Sequence, residues 1–366
     1  MNVIELAQAL TRFESTHDNS GAMLACLDFC IEQFSGYSVQ TERFTVDGNP
    51  MAVISTKGGR AFDVLLLGHI DTVAGDKKLF AGTITDGKLY GRGTLDMKAF
   101  VATSITLLKD LLDNGYEGNI GLAIVSDEEL GGLYGAQQLA NELGVTAKVA
   151  LVPDDGEDIL AVNNETKHIL HLKFHATGKE AHAARPWAGV NAIDLLIVTY
   201  ANLRKHFPTF ENEPEDTWVT TMNLGMISGG TATNEVAGGA EMAVDIRFVL
   251  PLTRGEVMSK IDAALIPGVS YRVAMEGYPT NLRRDDPYLS AYVRTIEEVT
   301  GGKVRYRRSG GGTDGRYFSE KGIPVIVHQG NGAFCQTDDE HVEVATLSIL
   351  VAIQKKFIET MFPGKK

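Results

Sequence analysis

The chain has 366 residues, 44% of them hydrophobic and 22% charged, and a formal net charge of −13. That length exceeds one ordinary core and predicts about two domains with ample apolar material to bury. The negative balance disfavours nucleic acid and anionic membrane as partners, since neither is drawn to such a field.

The chain opens with two amphipathic stretches, "VIELAQALTRF" and "AMLACLDFCIEQF", which predict helices up to about residue 45. Cys26 and Cys30 lie at helical spacing in the second and are expected as buried free thiols; with Cys335 they make three cysteines, too few for a disulfide framework. "FDVLLLGHIDTV" then gives an apolar run of strand length that ends in polar residues, and "GNIGLAIVSDEELGG" repeats the arrangement. Between them "DMKAFVATSITLLKDLLDNG" carries apolar residues at helical intervals and closes on Gly115. Apolar strands alternating with helices predict an α/β domain, a mostly parallel sheet with helices on both faces, and ligands collect at the carboxyl ends of such strands.

The pattern changes at residue 167. "KHILHLKFHATG" alternates as a half-solvated strand should, and a β-α-β-β-α-β order runs on to residue 278. This predicts an inserted α+β domain of ferredoxin-like type over 167–278, with residues 1–166 and 279–366 forming one discontinuous domain. "PYLSAYVRTIEEVTG" and "IPVIVHQG" return to the helix and strand style of the start, and the acidic "PTFENEPEDTW" predicts a solvated loop. No basic-then-apolar leader opens the chain, and no apolar run reaches the ~20 residues of a spanning helix, so a reducing cytoplasm is the expected compartment.

Four polar clusters follow four strands or turns. His69 and Asp71, at i and i+2 past a strand, can face one crevice, one as a metal ligand and the other fixing its ring. Asp96 stands before a helix, where taken alone an N-cap is the better explanation. Glu128 and Glu129 can divide the work of general base and ligand, although Ser126 with Glu129 also fits a capping box. Asp154 and Asp155 end the next apolar strand in "VALVPDDGED". Each cluster has a purely structural explanation; their coincidence at successive strand ends does not, and it points to a metal-dependent hydrolase.

"LLLGHIDTV", "GRGTLDMKAF", "SDEELGG", "GKEAHAA", "MAVDIRF" and "SGGGTDGRYF" resemble, in order and spacing, the motifs of the zinc aminoacylase, carboxypeptidase G, acetylornithine deacetylase and succinyl-diaminopimelate desuccinylase superfamily. The resemblance covers nearly the whole chain. It implies that His69 binds one metal and Asp71 orients it, that Asp96 bridges two metals, that Glu129 ligates the second, and that Glu128 is the general base. Asp154 is expected to complete the first metal's ligands in preference to Asp155. The inserted domain becomes a lid and dimerisation domain, in which His182 stabilises the oxyanion, often across a dimer, while Asn234 and Arg247 contact substrate. Gly312 in the glycine-rich loop lines the substrate cleft, and Arg316 matches an arginine that some members use for an acyl carboxylate; a salt bridge on a solvated helix is the competing reading.

One position departs from the superfamily. The histidine expected to ligate the second metal, in a stretch like H-x-x-[DN]-E-x-V, is here Gln336, which leaves His341 in a variable place as a surface residue. An amide oxygen is a weaker zinc ligand than imidazole, so the second ion is expected to be weakly held or replaced by a harder ion. The overall expectation is a homodimeric enzyme that uses Zn2+, or Mn2+ or Co2+, to cleave an amide bond in a small N-acyl amino acid or dipeptide bearing a carboxylate. A non-catalytic ligand-binding or assembly protein is the alternative that the lost histidine would favour.

Overall fold

The apolar run that ends at His69 folds as the strand Ala61–His69, buried continuously from Val64 onward. Its β-branched and leucine side chains fill both faces of a sheet that is covered on both sides. The computed structural model describes residues 1–156, 158–208, 210 and 218–364. In the eight-stranded sheet the order is Gln40–Val46, Asn49–Ser55, Ile120–Val125, Ala61–His69, Thr146–Val152, Val325–Val327, Ala161–Thr166 and Arg305–Ser309. The four central strands of that order are parallel. Helices Val3–Thr11, Lys98–Asp113, Pro287–Thr300 and Val344–Met361 bury Leu6, Phe100, Ile296 and Leu350 in one core cluster. Helices Ala136–Asn141 and Gly315–Glu320 contribute Leu139 and Phe318 to a second cluster. The α/β architecture is thus the one expected.

Local signals account for several boundaries. Asn2 and Glu5 form a capping box at the first helix. Asp286 caps the helix that begins with Pro287, and Gly301 ends it in the left-handed conformation. The expectation of helices up to residue 45 is corrected: Gln40–Val46 pairs antiparallel with Asn49–Ser55. Asp47 and Gly48, both at positive φ, make the tight turn between them, a hairpin signal that outweighs the short apolar pattern before it.

The chain divides into two compact units, Met1–Thr166 with Thr280–Lys366, and Lys167–Pro279. In the second, an antiparallel sheet is ordered Thr221–Gly229, Gly239–Phe248, His168–Thr177 and Val269–Gly277. Helices Ala192–His206 and Arg254–Ala264 pack on it around Leu172, Leu196 and Ile261. Where the first unit's chain is interrupted, Thr166 and Thr280 are bonded to each other, with Thr280 N donating to Thr166 Oγ1 at 2.7 Å and the two hydroxyls 3.1 Å apart. Most of the acidic stretch expected as a loop lies outside the described residues. Among the described residues no helix is long and apolar enough to cross a membrane.

Candidate metal centre

The parallel register delivers the polar clusters to one edge of the large sheet. His69 lies opposite Val125 and Leu66 opposite Leu151, while Val327 pairs with Val152. The residues that follow these strand ends therefore emerge together: Asp71, then Glu128 and Glu129, then Asp154, and after Val327 the pair His328 and Gln329. Asp96 arrives from the loop before helix Lys98–Asp113. Gln336 arrives from a turn in a small sheet that joins Gly332–Ala333 and His341–Glu343 to Lys88–Tyr90 and Thr83–Thr85.

Ligand atoms of His69, Asp96 and Asp154 all lie within 4.8 Å of one another. His69 is almost wholly buried, and its Nδ1 faces the Asp71 backbone oxygen at 3.1 Å and the Asp71 carboxylate at 3.3 Å. Its Nε2 is directed at Asp96 Oδ1, 3.0 Å away. Asp71 Oδ2 in turn accepts from Glu129 N at 3.0 Å. The other oxygen of Asp96, Oδ2, accepts from Gln336 Nε2 at 3.0 Å, and the same amide nitrogen donates to Glu129 Oε2 at 3.0 Å. Asp96 thus turns one oxygen toward His69 and the other toward the Glu129 and Gln336 side.

Five carboxylates share this space, and their ionisation shows the strain of crowding. Burial, reinforced by the charges of Asp96 and Asp71 against those of His69 and Arg316, pushes Glu128 up to about 7. Burial and then Asp96 push Glu129 up to about 8. Burial and then Asp96 also hold Asp154 well above the usual carboxylate range. Burial alone would lower His69, but its bonds and charge contacts with Asp71 and Asp96 raise it well above the ordinary value. Acidic groups brought together in a dry site resist ionisation unless a cation neutralises them. One imidazole oriented through its far nitrogen, with carboxylate oxygens converging on the other, fits a divalent cation.

The structural explanations weighed for these residues do not apply. Helix Lys98–Asp113 has Met97, not Asp96, at its cap, with no side-chain bond. Ser126 Oγ donates to the Pro50 carbonyl at 2.7 Å and forms no capping box. It is Asp154, 7% exposed, and not Asp155, that joins the cluster. His341 is corrected from a surface residue to a buried one: its ring lies tilted against Tyr90, centroids 4.9 Å apart, and its Nδ1 faces the Asp339 carbonyl at 2.9 Å.

Arg316 is also corrected. It is 3% exposed, donates from Nη2 to the Gly131 carbonyl at 2.7 Å, and stands 3.6 Å from Glu128 Oε1 and 4.0 Å from Asp314. It lies on no solvated helix face and stands beside the general-base candidate. The sequence reading missed Glu340, which accepts from Arg92 Nη1 at 2.7 Å and from Leu95 N at 3.0 Å and so fastens the Asp96 loop to the Gln336 turn. Its place in "DDEHV" was the available signal. Gly312 lines a cavity beside the cluster.

In the second unit, His182 and Asn234 come together: Ala181–His182 pairs with Glu235–Val236, and Ala183 N donates to the Asn234 carbonyl at 3.0 Å. His182 is exposed, and its Nδ1 accepts from Ala184 N at 3.1 Å, which puts the proton of the neutral ring on Nε2. Arg247 Nε donates to Asp245, 3.1 Å from Oδ2.

An α/β sheet that brings an imidazole and several carboxylates from its strand ends to one point is the frame of a metal-dependent hydrolase. Residues 65–360 match the family model described as peptidase family M20/M25/M40, and the chain belongs to that family. It is an enzyme of the metallopeptidase and amidohydrolase type, acting on amide bonds. The chain is similar to the succinyl-diaminopimelate desuccinylase of Pseudoalteromonas translucida, at 27% identity over 98% of this chain and 99% of that protein. The enzyme of the same name from Bradyrhizobium sp. is 27% identical over 99% of each. Among solved structures, an M20 family metallo-carboxypeptidase from Sulfolobus solfataricus shares the fold with a TM-score of 0.81, at 14% identity over 98% of this chain and 99% of that one. A tripeptidase from Staphylococcus aureus does so with a TM-score of 0.77, at 21% identity over 98% and 97%. The superfamily resemblance and the fold class are borne out by these matches.

Proposed function

We propose that this enzyme cleaves the amide bond of a small N-acyl amino acid or dipeptide that carries a carboxylate, with Zn2+, or Mn2+ or Co2+, held by His69, Asp96 and Asp154. The observation that carries the reading is the convergence of these three side chains within 4.8 Å, with Glu128 beside them. A divalent cation there supplies polarisation of the scissile carbonyl and a more acidic water. Asp71 fixes the His69 ring so that Nε2 faces the site. Glu128 takes the proton from the attacking water and passes it to the departing amine nitrogen, a task suited to a carboxyl that lines the cavity beside Asp96 and Asp154. Asp96 and Glu129 take a second ion less firmly, because Gln336 offers an amide where the superfamily has imidazole.

In the lid, His182 donates from Nε2 to the oxyanion, reaching it from a second subunit. Asn234 and Arg247 meet the substrate's carboxylate, and Gly312 lines the cleft. A homodimer is supported by the strand Thr221–Gly229 at the edge of its sheet, where Met226 is 72% and Ile227 47% exposed, and by the neighbouring helix, which exposes Ile197 and Val198. Edge strands with apolar residues in water are places where a second copy pairs. Free cysteines suit a reducing compartment such as the cytoplasm. Metal analysis of protein purified without chelator, with hydrolysis assays on N-acetyl, N-succinyl and dipeptide substrates with added Zn2+, Mn2+ or Co2+, tests the reading. Metal-dependent turnover is the expected result; a chain that takes up no metal and hydrolyses none of them refutes it.

A further inference from the structure

The helix Gly315–Glu320, which follows the glycine-rich loop, carries Arg316 in its first turn. The guanidinium reaches two points of the short turn Glu128–Leu130 at once. Nη2 donates at 2.7 Å to the carbonyl of Gly131, the residue that ends that turn in the left-handed conformation. Nη1 stands 3.6 Å from Oε1 of Glu128 at its start, an ion-pair separation and not a hydrogen bond. The Tyr317 hydroxyl donates to the same Gly131 carbonyl, and Gly131 N closes the turn on the Glu128 carbonyl at 2.7 Å. Behind the guanidinium lies Asp314, also buried, with Oδ1 4.0 Å from Nη2 and neither oxygen hydrogen-bonded among the described residues. Gly132 lets Asp314 come this close, because a Cβ there would overlap its Oδ1.

A buried guanidinium is costly unless charged and polar groups compensate it, and Glu128, Asp314 and the Gly131 carbonyl do so here. The cavity beside the metal cluster is lined by Glu128, Gly311 and Gly312, whereas Arg316 is not in its wall. Glu128 is therefore the side chain through which Arg316 meets the site. A carboxylate that is free to rotate presents either oxygen in many orientations. One that is tied back through Oε1, on a turn held at both ends, presents Oε2 in one.

We infer that Arg316 is a positioning residue for the hydrolysis: its fork holds Glu128 Oε1 and the Gly131 carbonyl together, so that Glu128 Oε2 is turned to the attacking water. Asp314 balances the charge of the fork. The inference rests on the reading of Glu128 as general base and adds the group that aims it. A lysine is a poor substitute, since one ammonium on a flexible stem cannot span both points with the geometry of a planar fork.

The test measures kcat, KM and metal content of the metal-loaded full chain with N-acetyl-alanine, N-succinyl-alanine and alanyl-alanine. Arg316→Met should lower kcat roughly 10- to 100-fold on every substrate that is turned over, the scale on which misplacing a reacting group is felt, with KM and metal content unchanged. Arg316→Lys, which keeps the charge and loses the fork, should recover only part of that loss, and it is the variant to read if the methionine variant fails to fold. In a Glu128→Gln background either substitution should cost less than about twofold, because a residue that acts through Glu128 has nothing left to aim. An unchanged kcat in either single variant, or a loss as large in the Glu128→Gln background as in the parent, overturns the inference and leaves the hydrolase reading standing. So does a loss confined to KM for N-succinyl-alanine, which would assign Arg316 to an acyl carboxylate. Full activity of Glu128→Gln, or turnover of none of the three substrates, overturns both.

Discussion

The two sides of the metal cluster are built to different standards. On one side His69 is buried, its far nitrogen is engaged by Asp71, and Asp154 comes straight from a central strand. On the other, Glu129 sits on a short turn and Gln336 on an exposed one at positive φ, with a neutral amide that at present donates to both acids. Rigid strand ends hold charge-bearing ligands in a fixed arrangement, whereas a turn with a neutral side chain gives neither charge nor rigidity. Asp96 faces both sides and is the residue on which the comparison turns.

The largest expected effect comes from removing it. Asp96→Ala should abolish metal retention on both sides and reduce hydrolysis to background, read by elemental analysis and turnover; a variant that keeps one ion per chain would show that the His69 side stands without it. Glu128→Gln should leave the metal content unchanged and lower kcat by about 10²- to 10⁴-fold, the usual contribution of a general base. Full activity in that variant would remove Glu128 from the chemistry.

Gln336→His sharpens the contrast directly. It should tighten the weaker ion by on the order of 10- to 100-fold, the scale on which ligand surroundings move metal affinity, and leave the tighter one alone. Competition with a chelator measures both, and an unchanged weak site would separate Gln336 from it. The smallest effect is on stability. Glu128 and Glu129 have pKa values raised from 4.5 to about 7 and about 8, so the folded state binds their protons more tightly than the unfolded chain does. Stability of metal-depleted protein should therefore fall as pH rises from about 4.5 to about 8. His69, also raised, acts in the same direction. Thermal unfolding should show a decline of a few degrees over that range, flattened by added metal; a Tm that rises with pH without metal would contradict the crowding.

Much of this was legible because it follows from short-range pattern. An apolar run of strand length followed by His69, by Glu128 and Glu129, or by Asp154 announces both a buried parallel strand and a polar strand end. Counting without a gap from the "GIPVIV" strand was enough to place Gln336 at the position where the structure brings it beside Asp96 and Glu129. What was not legible depends on partners far along the chain. Asp96 reads as a cap until its loop is fixed by Glu340, 244 residues away. Arg316 fits a surface salt bridge until the Gly131 carbonyl and Glu128 are placed around it.

The bonded pair Thr166 and Thr280 has a consequence for how such a molecule can be remodelled. Because the chain leaves and re-enters the larger unit at one point, the two ends are already joined without the 167–279 segment between them. Closing that gap with a loop of a few residues carries only a small entropic penalty. The segment is therefore a replaceable cassette: the architecture lets one hydrolytic frame be recombined with inserts of different length and shape while its own backbone connections stay as they are.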